Sequence, residues 1–69
     1  MSFEDEAFSE VAKKMARWYD SEFVFRNKKL EDIHLNGSFI SETLEQAMDA
    51  LKYTNGFSYE IKDRKVVIY

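Results

Sequence analysis

The sequence predicts an α+β fold in which two helices pack against short β-sheets, in the order helix, strand, strand, helix, strand, strand. Two observations carry this prediction. Apolar residues recur at spacings of three and four in two segments, Phe8–Tyr19 and Leu44–Leu51, which is the period of a helix with one buried face. In four other segments they alternate with polar residues, which is the period of a half-buried strand. No repeat, low-complexity tract or internal linker interrupts the 69 residues, so residues 1–69 are expected to form one domain. A chain of this size buries only about 60% of the surface it exposes when unfolded, so its margin of stability is thin. With 45% apolar residues, including six Phe, four Tyr and one Trp, the composition still favours a packed core over disorder.

In the first helix, expected over about Glu6–Tyr19, Phe8, Val11, Ala12, Met15, Trp18 and Tyr19 share one side. Asp5 is the expected cap, with Glu6 and Glu10 early and Lys13, Lys14 and Arg17 late, in the order the helix dipole favours. The period then changes. In Glu22-Phe23-Val24-Phe25-Arg26 the two phenylalanines share one face while Glu22, Val24 and Arg26 share the other. After a polar connection from Asn27 to Asp32, Ile33, Leu35, Gly37 and Phe39 alternate with His34, Asn36 and Ser38. Gly37 falls where an inward side chain is expected, which implies a bulge or the close approach of another backbone.

Ser41 is the expected cap of the second helix, with Glu42 and Glu45 near its positive end and Leu44, Ala47, Met48 and Leu51 as its apolar stripe. Asn55-Gly56 stops it, because both residues tolerate the left-handed conformation of a C-terminal cap. Phe57, Tyr59 and Ile61 then alternate with Ser58, Glu60 and Lys62. After Asp63-Arg64, the run Lys65–Tyr69 places Val66 and Ile68 on one face, which completes a hairpin.

Several function classes are disfavoured. The absence of cysteine rules out disulfides and thiolate metal sites. The longest apolar stretch, Val66–Tyr69, is far short of the roughly 20 residues that cross a bilayer. The acidic opening Met1–Glu6 lacks the basic start of an export signal, so an exported parent implies that this chain is a piece of it. A net charge of −3 opposes a nucleic-acid role, and the short cluster Arg26-Asn27-Lys28-Lys29 reads as a solvated loop.

Residues along almost the whole chain resemble a known family. Phe3 through Asp20, with a phenylalanine ahead of a helix that ends in the aromatic pair Trp18-Tyr19, is similar to its first helix, and Phe23, Phe25, Asn27 and Leu30 continue the likeness. Asn36-Gly37-Ser38-Phe39 resembles its G-[ST]-F strand end, and Glu42–Leu51 its L-E-x-A-L-x-x-L helix. Phe57–Ile61 and Lys65–Ile68 resemble its closing hairpin. This is the C-terminal domain of FecR-like anti-sigma regulators, whose fold is akin to the short N-terminal signalling domains of secretins and TonB-dependent transporters. The resemblance implies the order (β)αββαββ, a periplasmic location and a parent anchored in the inner membrane. It also implies that the domain receives a signal from a transporter's signalling domain. The signalling domain of a TonB-dependent transporter or secretin is the alternative parent. The family has a further strand before the first helix, of which only Phe3 is expected here. Val24 stands where the family commonly carries a polar residue.

Catalysis finds little material. His34 is the sole histidine, without cysteine nearby, and reads as an exposed structural residue. Glu4, Asp5 and Glu6 lack the spaced ligands of a calcium loop, and Asn36-Gly37 and Asn55-Gly56 cannot cradle phosphate. No cofactor or metal is expected. An acid/base enzyme built on Glu60 and Asp63 is the rival from another class. Trp18 is expected in the core, and Tyr19 either there or in an aromatic platform. Binding by strand addition is the expected mechanism, since an open sheet edge offers unpaired N–H and C=O groups to a partner polypeptide or a second copy. Val24, Val67, Tyr69 and Tyr19 are the candidate contact residues: the first two and Tyr69 are exposed if Phe23, Phe25, Val66 and Ile68 face inward, and core if both faces are covered.

Overall fold

The computed structural model describes all residues, Met1–Tyr69. Its order is β1 (Ser2–Ala7), α1 (Phe8–Trp18), β2 (Glu22–Phe25), a 3₁₀ helix (Lys28–Asp32), β3 (His34–Ser38), α2 (Leu44–Asn55), β4 (Tyr59–Lys62) and β5 (Lys65–Ile68). The α+β class and the expected (β)αββαββ order are observed.

The first strand, expected to be reduced to Phe3, is present at six residues and pairs antiparallel with β3. Its composition hid it: Glu4, Asp5 and Glu6 read as the acidic start of a helix. The alternation is also broken, because the register runs Phe3↔Gly37 and then Glu6↔Leu35, so Glu4 and Asp5 together oppose Asn36. Asp5 therefore does not cap α1. It occupies the bulge at φ 49, a left-handed conformation that Asp tolerates better than most residues, and its N–H donates to Asn36 Oδ1 at 2.8 Å. The residue at the N-cap of α1 is Ala7, with no side-chain cap, and the Phe8 N–H finds the Ile33 carbonyl at 2.8 Å instead.

Phe8, Val11, Ala12 and Met15 form the buried face of α1, as their spacing requires. Trp18 breaks the pattern. It is the last helical residue, lies beyond the end of the covered stripe and is 53% exposed, so it is not part of the core. The second helix starts two residues later than expected. Thr43, not Ser41, is the N-cap, and Thr43 and Gln46 form a reciprocal capping box with bonds of 2.9 and 3.1 Å. Gly56 closes the helix at φ 67, the left-handed cap expected of Asn55-Gly56.

Two sheets result, β1-β3 and β2-β5-β4. β4 and β5 form the expected hairpin, whose turn needs no glycine because Asp63 takes φ 57. The central strand β5 also pairs parallel with β2. All 13 buried residues are apolar, so the core contains no polar group that needs an internal partner. At its centre the ring of Phe8 meets Phe25 edge-on at 5.0 Å and Phe57 at 5.1 Å, which ties α1 to β2 and to the segment entering β4. Gly37 is not itself the bulge, and what approaches it closely is a side chain and not another backbone: a Cβ there would lie 2.9 Å from Phe3 Cζ.

Candidate functional site

The three-stranded sheet presents two faces with opposite chemistry. Its register aligns Phe23, Val66 and Ile61 in one row and Phe25, Ile68 and Tyr59 in another. Val66 and Ile68 are fully buried, so these rows face the core. Alternation then places Val24, Val67 and Glu60 in one outward row and Glu22, Lys65 and Lys62 in the next. Val24 and Val67 are direct register partners and half-buried. Tyr69 continues their side of β5 at 44% exposure, with its backbone paired to Ser58 in both directions and its hydroxyl donating to Glu60 Oε1 at 3.4 Å. Three of the four candidate contact residues thus form one short apolar strip on the solvent side of the sheet.

The fourth lies elsewhere. Tyr19 packs against the core at the end of α1, and its hydroxyl donates to the Glu42 carbonyl at 2.9 Å, tying α1 to the connection before α2. Burial and, secondarily, the Glu42 carboxylate push its pKa above the usual tyrosine value. Tyr59 is raised to about 12, first by burial and then by the Asp49 carboxylate that accepts its hydroxyl bond. Both tyrosines hold elements together.

Strand edges distinguish the sheet further. Parallel pairing directs the Glu22 and Arg26 N–H groups to the Arg64 and Ile68 carbonyls at 2.7 and 2.8 Å, which fixes the parity of the whole strand. Val24 points the same way, while the N–H and C=O groups of Phe23 and Phe25 point to the opposite edge, where no other strand pairs with β2. Of the three other edge strands, β1 has its acidic bulge, β4 alternates Glu60 and Lys62, and β3 carries the polar side chains His34, Asn36 and Ser38. Phe23-Val24-Phe25 carries neither charge nor bulge.

Other polar groups pair at the surface, His34 Nδ1 with Asp5 Oδ1 at 2.9 Å and Arg64 with Asp20 at 2.7 Å, both exposed, and Lys14 with Glu6 at 2.7 Å, half-buried. Such pairs contribute little to stability. Asp63 lines an open hollow with Asp20, Ser21, Glu22, Lys62, Arg64 and Lys65, while Glu60 lies in the outward row against Tyr69. No group of three or more His, Asp or Glu side chains is placed to hold a metal ion. No helix is long and apolar enough to cross a membrane.

The family model described as FecR, C-terminal, matches residues 1–68. The chain belongs to the FecR C-terminal family. Two crystal structures of a protein named as a candidate anti-sigma factor from Parabacteroides distasonis ATCC 8503 share the fold of this FecR C-terminal domain. Each aligns with a TM-score of 0.87 and 25% identity over 100% of this chain. The chain spans about a third of that protein, 32% of its length. No curated protein matches it.

The exposed residues Trp18, Ile40 at 83% and Tyr53 at 90% were not among the candidates read from sequence. Trp18 lines a shallow hollow with Met1, Ser2, Lys14 and Arg17. The signal for it is positional: a residue in the last turn of a short helix can fall outside the covered stripe even when its spacing fits.

Proposed function

We propose that this FecR C-terminal domain is the signal-receiving part of an anti-sigma regulator. In this reading it lies in the periplasm, on a parent anchored in the inner membrane, and works by binding another protein and not by catalysis. Its partner is the signalling domain of a TonB-dependent transporter, which adds a strand to the free edge of β2. The observation that carries the reading is that edge: Phe23 and Phe25 offer unpaired backbone groups beside the apolar strip of Val24, Val67 and Tyr69. Backbone pairing would supply affinity and the strip selectivity. Membership of the FecR C-terminal family and the likeness to a candidate anti-sigma factor support the regulatory context.

Titration calorimetry of this domain with the signalling domain of the transporter encoded beside its parent tests the reading. Saturable binding is expected, and Val24→Asp, which buries a carboxylate at the new pairing, should abolish it while leaving the circular dichroism spectrum intact. Absence of binding by the unaltered domain would sink the proposal.

A further inference from the structure

We propose that the edge of β2 also pairs with β2 of a second copy of this chain, antiparallel across a two-fold axis at Val24, to give one continuous six-stranded sheet. The partner goes beyond the reading above, although the edge is the same.

The sequence of this strand is self-complementary about its centre. An antiparallel pair centred on Val24 sets Phe23 opposite Phe25 of the second copy and Phe25 opposite its Phe23. Those are the residues whose N–H and C=O groups point to the free edge, so each opposed pair exchanges two backbone hydrogen bonds. The Val24 residues then meet at the non-hydrogen-bonded position on the axis, where side chains approach most closely. Arg26 lies one residue past β2, where its N–H still continues the ladder to the Ile68 carbonyl, and at this alignment Glu22 falls opposite Arg26 of the second copy and Arg26 opposite its Glu22. Both are exposed in the single chain, and neither makes a salt bridge within it. A closed two-fold contact repeats each interaction twice and leaves no further β2 edge to propagate. Shifting the register by two residues would lose the central valine pair and set Glu22 against Val24, so charge and apolar pattern select the same alignment.

Arrangement of charge also makes the inference testable with this chain alone. Sedimentation equilibrium should show the mass rising from 8.2 kDa toward twice that value as concentration increases. Glu22→Arg places Arg against Arg26 at both ends of the contact, and Arg26→Glu places Glu against Glu22, so each variant alone should remain a monomer at concentrations where the unaltered chain dimerises. Mixing the two variants should restore a dimer, because a Glu22→Arg chain opposes two arginines to the two glutamates of an Arg26→Glu chain. The double variant should dimerise by itself. Slower amide exchange at Phe23 and Phe25 should accompany dimer formation. An unaltered chain that stays monomeric throughout, or single variants that dimerise as well as it does, would overturn the proposal. A monomeric chain that still binds a transporter domain by calorimetry would sink this inference and leave the proposed function standing.

Discussion

Replacing Phe8 tests whether the aromatic centre of the core holds β2 in place. Phe8 is fully buried and touches two other rings, Phe25 edge-on at 5.0 Å and Phe57 at 5.1 Å. Phe8→Ala removes the whole ring from a close-packed site, which costs about 3–5 kcal/mol. The stability available to 69 residues is about 3–10 kcal/mol. The loss is therefore comparable with the total, and the alanine variant is expected to be largely unfolded or close to it. Phe8→Leu separates the contributions: most of the burial stays, while two aromatic contacts of about 0.5–1.5 kcal/mol each are lost, giving about 1–3 kcal/mol. With a urea dependence of about 1 kcal/mol/M, the leucine variant should shift its midpoint down by about 1–3 M and the alanine variant by about 3–5 M. Circular dichroism in a urea series reads both shifts. An alanine variant within about 1 M of the unaltered protein would refute the reasoning, because the cavity would then have collapsed without cost. Equal losses for alanine and leucine would refute the assigned split between burial and ring contacts.

Three further outcomes follow from individual contacts. Gly37→Ala puts a Cβ 2.9 Å from Phe3 Cζ, and since Phe3 is only 5% exposed its ring has little room to yield. A loss of about 1–3 kcal/mol in urea unfolding is expected. Thr43→Ala breaks the capping box of α2 and should cost about 1 kcal/mol, whereas Ser41→Ala should cost almost nothing. For Tyr59, the folded-state pKa is raised from 10.0 to about 12, chiefly by burial, so the neutral phenol is the form the fold favours. Its contribution is complete below pH 10 and disappears as pH rises toward about 12, and Tyr59→Phe should flatten that part of the alkaline stability profile. A variant whose profile still falls as steeply over that interval would show that Tyr59 does not govern it.

Local periods predicted most elements and the inward or outward side of most residues, because burial on one face imposes a period the side chains must obey. Val66 and Ile68 are fully buried while Val24, Val67 and Tyr69 lie on the other side, as alternation required. Failures occurred where a local signal had two meanings. Three carboxylates before an apolar helix resemble a helix start, yet they form a bulged strand, held by the Asn36 side chain, which lies 31 positions away from Asp5 in the sequence. Ser41 and Thr43 both carry a capping hydroxyl, but only the Thr43-x-x-Gln46 spacing is that of a capping box, and Ser41-x-x-Leu44 is not. Trp18 has the correct spacing but stays 53% exposed, in an open hollow beside Met1 and Ser2.

The decisive feature of the candidate site was the least visible in the chain. Alternation shows which side chains share a face, but it does not state which strands are neighbours, and the register partners of β2 and β5 lie 43 positions apart, as Glu22 and Lys65 do. That pairing is what brings Val24 beside Val67; with β2 against any other strand they would be two isolated valines. It also decides the edge, because once β5 uses the Glu22, Val24 and Arg26 positions of the ladder, Phe23 and Phe25 must direct their backbone groups outward. Both rings of those residues are directed to the core, so an incoming strand would meet backbone at the edge and Val24 with its flanking charges on the outward face. Under the proposed strand addition, recognition would therefore depend on the residues the core does not use. On that proposal, substitutions at Glu22, Val24 and Arg26 would alter partner choice with little effect on stability, whereas those at Phe8, Phe23 and Phe25, which couple the edge to the core, would change both.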